Sequence, residues 1–145
     1  SRLDTLQAAI LDVKLTAFIN HELKDVNNVY NKYNSLLSDI VKVPIIPQGY
    51  TSSFAQYTIT LNSEKQRDDL KLFLASKNIP TMIYYTKAMH NQTAFKELKN
   101  VDEDYPISTK LCKTVLSLPI HPYLSSSEIE FIANNIKIFI KNVTK

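Results

Sequence analysis

Val115-Leu116-Ser117-Leu118-Pro119-Ile120-His121-Pro122-Tyr123-Leu124 runs directly into Ser125-Ser126-Ser127-Glu128-Ile129-Glu130. This stretch decides the architecture. Val115 to Leu118 is short and apolar, which predicts a buried strand, and Pro119 closes it because proline has no N–H to give to a ladder. Pro119 and Pro122 stiffen the turn that follows and hold His121 and Tyr123 at the strand end. Ser125 with Glu128, and Ser127 with Glu130, have capping-box spacing, so a helix begins at once. Its stripe of Ile129, Ile132, Ala133, Ile136, Phe139, Ile140 and Val143 has the helical period. Strand, rigid turn and amphipathic helix in succession make a unit in which the helix covers a sheet.

Upstream, Tyr57, Ile59 and Leu61 alternate with Gln56, Thr58 and Thr60, the pattern of a strand with one buried face. Ser63 and Gln66 cap the next helix, Leu70, Phe73 and Leu74 give its stripe, and Asn78 ends it. Ile79 to Tyr85 is β-branched and aromatic and predicts a further strand, with Pro80 at its start. A short helix is expected over Gln92 to Leu98, an exposed acidic loop at Asp102 to Asp104, and another helix from Ile107 to Thr114. At the N-terminus Leu3, Leu6, Ile10 and Val13 form one helical stripe. The phase slips near Phe18 to Asn20 and resumes as Ile19, Leu23, Val26, Tyr30, Tyr33 and Leu37. Two successive helices or one kinked helix should reach about Ser38. Their apolar face packs either on something outside the domain or back on its own sheet. The expectation is an α+β fold in which residues 1–40 form linker helices and residues 41–145 a small domain, its sheet covered by helices on one face.

Composition narrows the function classes. The chain has 145 residues, 44% of them hydrophobic, which suits a single core with an appended element. Charged residues make up 21%, the net charge is +3 and both signs are interspersed, so neither nucleic acid nor a membrane is an expected partner. Apolar runs are broken within a few residues by Lys, Asp or Asn, leaving no membrane span or secretory signal, and the expected setting is cytoplasmic. Gly49 is the only glycine, which excludes a P-loop or dinucleotide-binding turn. Cys112, the only cysteine, reads as helix filler. His21, His90 and His121 are too widely spaced for a metal site.

Three clusters could carry chemistry. Arg2, at the mouth of the first helix, is not explained by the helix dipole, and is either a solvated terminal side chain or a bidentate grip on phosphate or carboxylate. Tyr84 and Tyr85 lie at a strand end, followed by Lys87 and His90. Adjacent strand residues project to opposite faces, so one tyrosine is either free to stack on and hydrogen-bond a ligand or merely exposed. His90 has no acidic partner at an obvious spacing, which counts against a catalytic base. His121 and Tyr123 sit in a turn whose role is structural or ligand-directed.

Taken in order, Ser1-Arg2-Leu3-Asp4-Thr5-Leu6-Gln7-Ala8-Ala9-Ile10-Leu11, then Ile79-Pro80-Thr81 leading to Tyr84-Tyr85 and His90, then Val115 to Leu124, resemble the DegT/DnrJ/StrS family of sugar aminotransferases, essentially end to end. The resemblance implies the C-terminal small domain of a fold-type-I pyridoxal-phosphate (PLP) enzyme that moves an amino group, usually from glutamate, to a keto group on a nucleotide-linked sugar for surface polysaccharide or antibiotic sugars. It implies that the PLP lysine belongs to a large domain preceding Ser1, that this chain alone binds no cofactor and is inactive, and that the full enzyme is a homodimer. It makes Arg2, Tyr84, Tyr85, His90 and His121 substrate-contact candidates and assigns no catalytic residue here.

The family usually reads Tyr-Tyr-Pro-x-Pro-Leu-His where this chain has Tyr84-Tyr85-Thr86-Lys87-Ala88-Met89-His90, and loss of two prolines should loosen the loop. Two other readings stand beside the fragment. One is a non-catalytic remnant, serving as an interaction module. The other is a two-chain enzyme whose lysine domain is a separate polypeptide.

Overall fold

The computed structural model describes residues 3–98 and 101–143. Its elements are α1 (Thr5–Ala17), a π-helical turn (Phe18–Glu22), α2 (Leu23–Leu37), β1 (Tyr57–Thr60), α3 (Glu64–Ser76), α4 (Pro106–Thr114), β2 (Val115–Leu118) and α5 (Ser126–Val143). Short 3-10 turns at Met89–Asn91, Thr93–Leu98 and Asp102–Asp104 fill the passage from α3 to α4.

β1 and β2 pair antiparallel, with Tyr57 opposite Leu118 and Thr60 opposite Val115. Tyr57 and Ile59 are buried and Thr58 and Thr60 half-buried, as strand alternation requires. The hydroxyls of Thr58 and Ser117 meet across the pair at 2.8 Å. The expected strand over Ile79 to Tyr85 does not form. Only Met82 bridges Ser117, through Met82 N to Ser117 O at 3.1 Å and Ser117 N to Met82 O at 2.8 Å. In antiparallel register the next hydrogen-bonded pair would be Pro80 with Pro119, and neither has an N–H. At the opposite edge Lys42 bridges Thr60, and Pro44 stands at the next pairing position.

The helix boundaries follow their caps. Ser63 Oγ accepts from Gln66 N at 3.1 Å while Gln66 Oε1 accepts from Asn62 N at 2.9 Å, which starts α3. Asn78 takes the left-handed conformation (φ 57°), and Ile79 N donates to Leu74 O at 3.0 Å, which ends it. At α5 Glu128 Oε2 accepts from Ser125 N at 2.8 Å and Ser125 Oγ from Glu128 N at 3.3 Å.

Helices α2, α3 and α5 pack on the sheet around the fully buried Tyr33, Leu37, Tyr57, Ile59, Leu70, Leu74, Leu116 and Ile136. Tyr33 and Tyr57 lie with ring centroids 4.8 Å apart, and each hydroxyl is satisfied: Tyr33 donates to Pro119 O at 3.0 Å and Tyr57 to Asn34 Oδ1 at 2.6 Å. Arg67 is buried too and ties α3 to α4, its Nη1 donating to Cys112 O at 3.1 Å and its Nε to Asp68 at 2.6 Å.

The two lead-in helices fare differently. The buried residues of α2 are Val26, Val29, Tyr33 and Leu37, so within the expected 1–40 linker this helix shares the core of residues 41–143. Helix α1 buries none of its residues. Between them Leu23 N donates to Phe18 O, five residues back, so one extra residue is inserted. That insertion is the phase slip read from the sequence, and it rotates the α1 stripe by about 100° away from that of α2. It also corrects the reading of the stripe at its start. Ile19 is exposed, and buried Glu22 takes the position in line with Val26, Val29, Tyr33 and Leu37.

Removing the Tyr33 hydroxyl strands the Pro119 carbonyl. Tyr33→Phe is expected to lower stability by about 1–2 kcal/mol, seen as a lower urea midpoint at unchanged slope. An unmoved midpoint would show that this contact is neutral.

Candidate functional site

Of the candidate residues, Tyr84 and His121 lie where β2 ends and the Met82 segment crosses it, whereas Tyr85 and His90 line neither of the cavities there. Pro80 and Pro119 stand side by side there and separate two shallow cavities. One, of about 250 Å³, is lined by Gln56, Thr81, Met82, Tyr84 and Ser117 among others. The other, of about 410 Å³, is lined by Asn78, His121, Leu124, Glu128 and Phe131 among others. Tyr84 and His121 thus flank the same proline pair without sharing a cavity. Arg2 lies outside the described residues.

Tyr84 and Tyr85 are both exposed, at 42% and 70%. They do not project to opposite faces as a regular strand would have them. Their rings meet edge to face, centroids 5.8 Å apart, beside the cis peptide that joins them. Two phenols are therefore presented together, offering π faces and hydroxyls to a polar ligand.

The loop beyond them is held without the two prolines. Ala88 is buried, and Gln92 Nε2 donates to Lys87 O at 3.2 Å. His90 is the main anchor. Its side chain is only 5% exposed, its ring stacks on Tyr105 with centroids 4.8 Å apart, and Nε2 meets Asp102 Oδ1 at 2.9 Å. The same Asp102 oxygen accepts from Asn91 Nδ2 at 2.7 Å and Thr109 Oγ1 at 3.2 Å. The Asn91 amide first, and His90 next, hold the Asp102 carboxyl at about 2 against an ordinary 3.8. The acidic partner that His90 lacked at any local spacing is twelve residues further on.

His121 is exposed, and its Nδ1 accepts from Tyr123 N at 3.2 Å, which leaves Nε2 as the protonated nitrogen of the neutral ring. The neighbouring Glu128 carboxyl is lowered chiefly by the Ser125 hydroxyl and backbone N–H. Tyr123 reaches the other way, donating through its hydroxyl to Glu22 Oε1. No reading of the sequence had singled out Glu22 or its second partner Lys14, at 2.7 Å. The available signal was a charged residue in phase with a buried stripe.

Among the described residues no group of His, Cys, Asp or Glu could hold a metal, and no helix is long and apolar enough to cross a membrane.

The profile of the DegT/DnrJ/EryC1/StrS aminotransferase family matches residues 1–137. The chain belongs to this family. It is 32% identical over 145 residues to the Pleiotropic regulatory protein of Geobacillus stearothermophilus, covering 98% of this chain and 38% of that one. It is 34% identical over 133 residues to the UDP-2-acetamido-2-deoxy-3-oxo-D-glucuronate aminotransferase of Pseudomonas aeruginosa, covering 91% of this chain and 35% of that one. Among solved structures, a DegT DnrJ EryC1 StrS aminotransferase from Brucella abortus superposes with TM-score 0.83 at 41% identity, over 95% of this chain and 36% of that one. The S. venezuelae enzyme DesV shares the fold with TM-score 0.88 at 22% identity, over 97% of this chain and 37% of that one. The chain therefore spans little more than a third of the length of these relatives.

DegT-family aminotransferases are PLP-dependent, and a lysine that holds PLP must present a neutral amine in an enclosed site. Among the described residues no lysine is buried. Lys14 and Lys65 are displaced the wrong way, their ammonium pKa values raised first by hydrogen bonds to Glu22 and Asp69 respectively. The described residues do not fit the role of PLP anchor.

Because the folded-state value of Asp102 is depressed, its contribution is complete above about pH 4 and is lost as the pH falls through about 2. Amide exchange in residues 88–98 and 101–105 is expected to rise over that window before the core opens, and Asp102→Ala should bring the same opening to neutral pH. Equal protection in the variant and the native chain at pH 7 would remove Asp102 as the loop's anchor.

Proposed function

We propose that this chain is the C-terminal part of a PLP-dependent nucleotide-sugar aminotransferase, and that it supplies substrate contacts and subunit surface while another segment supplies the cofactor lysine. The observation that carries the reading is a family match running through residues 1–137 in a chain whose described lysines fit no PLP site. The Pseudomonas relative's name specifies a keto-sugar nucleotide, which supports that substrate class. Amino transfer from glutamate, surface polysaccharide biosynthesis, a cytoplasmic setting and a homodimeric whole enzyme belong to the same proposal.

In this reading Tyr84 and Tyr85 face the sugar nucleotide, and His90 acts mainly by holding their loop through Asp102. His121 contributes from the neighbouring cavity, and Arg2 grips phosphate. Residues 1–40 link to the cofactor-bearing segment, and α1 is the part available for it, since Leu6, Ile10, Val13 and Leu15 are all exposed. Residues 41–145 form the small domain. One observation favours the second reading, a non-catalytic remnant: Thr86 and Ala88 stand where the family carries prolines.

The chain alone, treated with PLP and borohydride, is expected to give no stoichiometric adduct at any single lysine by peptide mass spectrometry, and no 2-oxoglutarate from glutamate. A unique modified lysine would overturn the assignment. Activity restored by a polypeptide carrying the family's cofactor segment, and lost in Tyr84→Ala with Tyr85→Ala, would favour an enzyme part over a remnant.

A further inference from the structure

Glu22 is the one charged side chain in the buried stripe of α2, and the π-turn puts it there. A carboxylate withdrawn from water is retained only with partners that replace its hydration. Glu22 has two, from opposite directions. Lys14 Nζ, one π-turn and most of a helical turn upstream, donates to Oε1 at 2.7 Å. The Tyr123 hydroxyl, from the turn between β2 and α5, donates to the same oxygen. Lys14 also sits 6.0 Å from the centroid of the Tyr123 ring, so the three side chains close a triangle.

The surroundings hold this triangle in place. His21 pairs with Asp25 at 3.2 Å and meets the Tyr123 ring edge to face at 6.5 Å, and the His121 ring lies 6.4 Å from that of Tyr123. The polarity of each member agrees with the contacts. The Glu22 carboxyl is lowered, by Lys14 first and Tyr123 second, and the Tyr123 hydroxyl is raised by its bond to Glu22. Helix α1 has no buried residue, so apolar packing does not fix its direction.

We propose that Glu22, Tyr123 and Lys14 form a joint that sets the direction in which α1 leaves the sheet-bearing body, with Glu22 and Tyr123 as positioning residues. The stiff His121-Pro122-Tyr123 turn thereby acquires a role besides ligand contact: it is the seat against which the lead-in helix is aligned. The leverage is large, because α1 has 13 residues and so extends about 20 Å. A change of about 10° at the joint carries its far end by roughly 3 Å. The consequence for a substrate site rests on the function proposed above, whereas the joint itself does not.

The test measures direction, not activity, so its outcome is independent of PLP and of any sugar. Spin labels at Ala9→Cys and Asn134→Cys, in a Cys112→Ala background diluted with unlabelled chain, report the distance from α1 to α5 by electron–electron double resonance. The native joint should give one narrow distribution. Tyr123→Phe, Glu22→Gln and Lys14→Met should each broaden it or shift its mean by 3 Å or more, with far-UV circular dichroism retained. Leu70→Ala, which weakens the core away from the joint, should leave it narrow. A broad distribution in the native chain, an unchanged one in Tyr123→Phe and Lys14→Met, or an equal change in Leu70→Ala would each overturn the proposal.

Discussion

Tyr33 has to be buried completely and hydrogen-bonded at once, and much of the architecture follows from how that is met. A phenol withdrawn from water is costly unless its hydroxyl finds an acceptor. The acceptor is the Pro119 carbonyl, at the point where β2 stops. That bond fixes the height of α2 on the sheet and with it the partner ring of Tyr57, whose own hydroxyl is taken by Asn34 one residue along the same helix. Because Pro119 also opens the turn into α5, a single side chain relates helix, strand and returning helix.

The local features were legible because local chemistry determines them. The caps at Ser63 and Ser125, the αL ending at Asn78 and the alternation in β1 each involve residues within a few positions of one another. Features that failed to show in the sequence depend on distant partners. Ile79 to Tyr85 has every propensity of a strand, and what stops it is that Pro80 would face Pro119, a pairing apparent only once Met82 is set against Ser117. His90 looked unpartnered because Asp102 reaches it through a folded loop. The phase slip at Phe18 was visible in the sequence, but its consequence, a glutamate admitted to the buried stripe, requires knowing that the slip is one inserted residue rather than a break.

The family was legible for another reason. Composition carried no trace of it, whereas three short motifs in a fixed order did. Those motifs mark backbone punctuation as much as chemistry: a helix start, a doubled tyrosine beside a cis peptide, a turn between prolines. Of the proposed ligand contacts, the exposed Tyr84 and Tyr85 are the pair the fold presents outward, while His90 is spent inward on Asp102 and Tyr105.

A two-stranded ribbon consists of nothing but edges, and bare edges invite strands from other molecules. Here each outer edge is met by one bridging residue, Met82 or Lys42, and the position two residues from it along the bridging segment is Pro80 or Pro44. An incoming chain therefore finds the ladder interrupted by missing donors on both flanks. The proline pair that divides the candidate site thus also leaves that flank of the sheet without the donors an added strand would need.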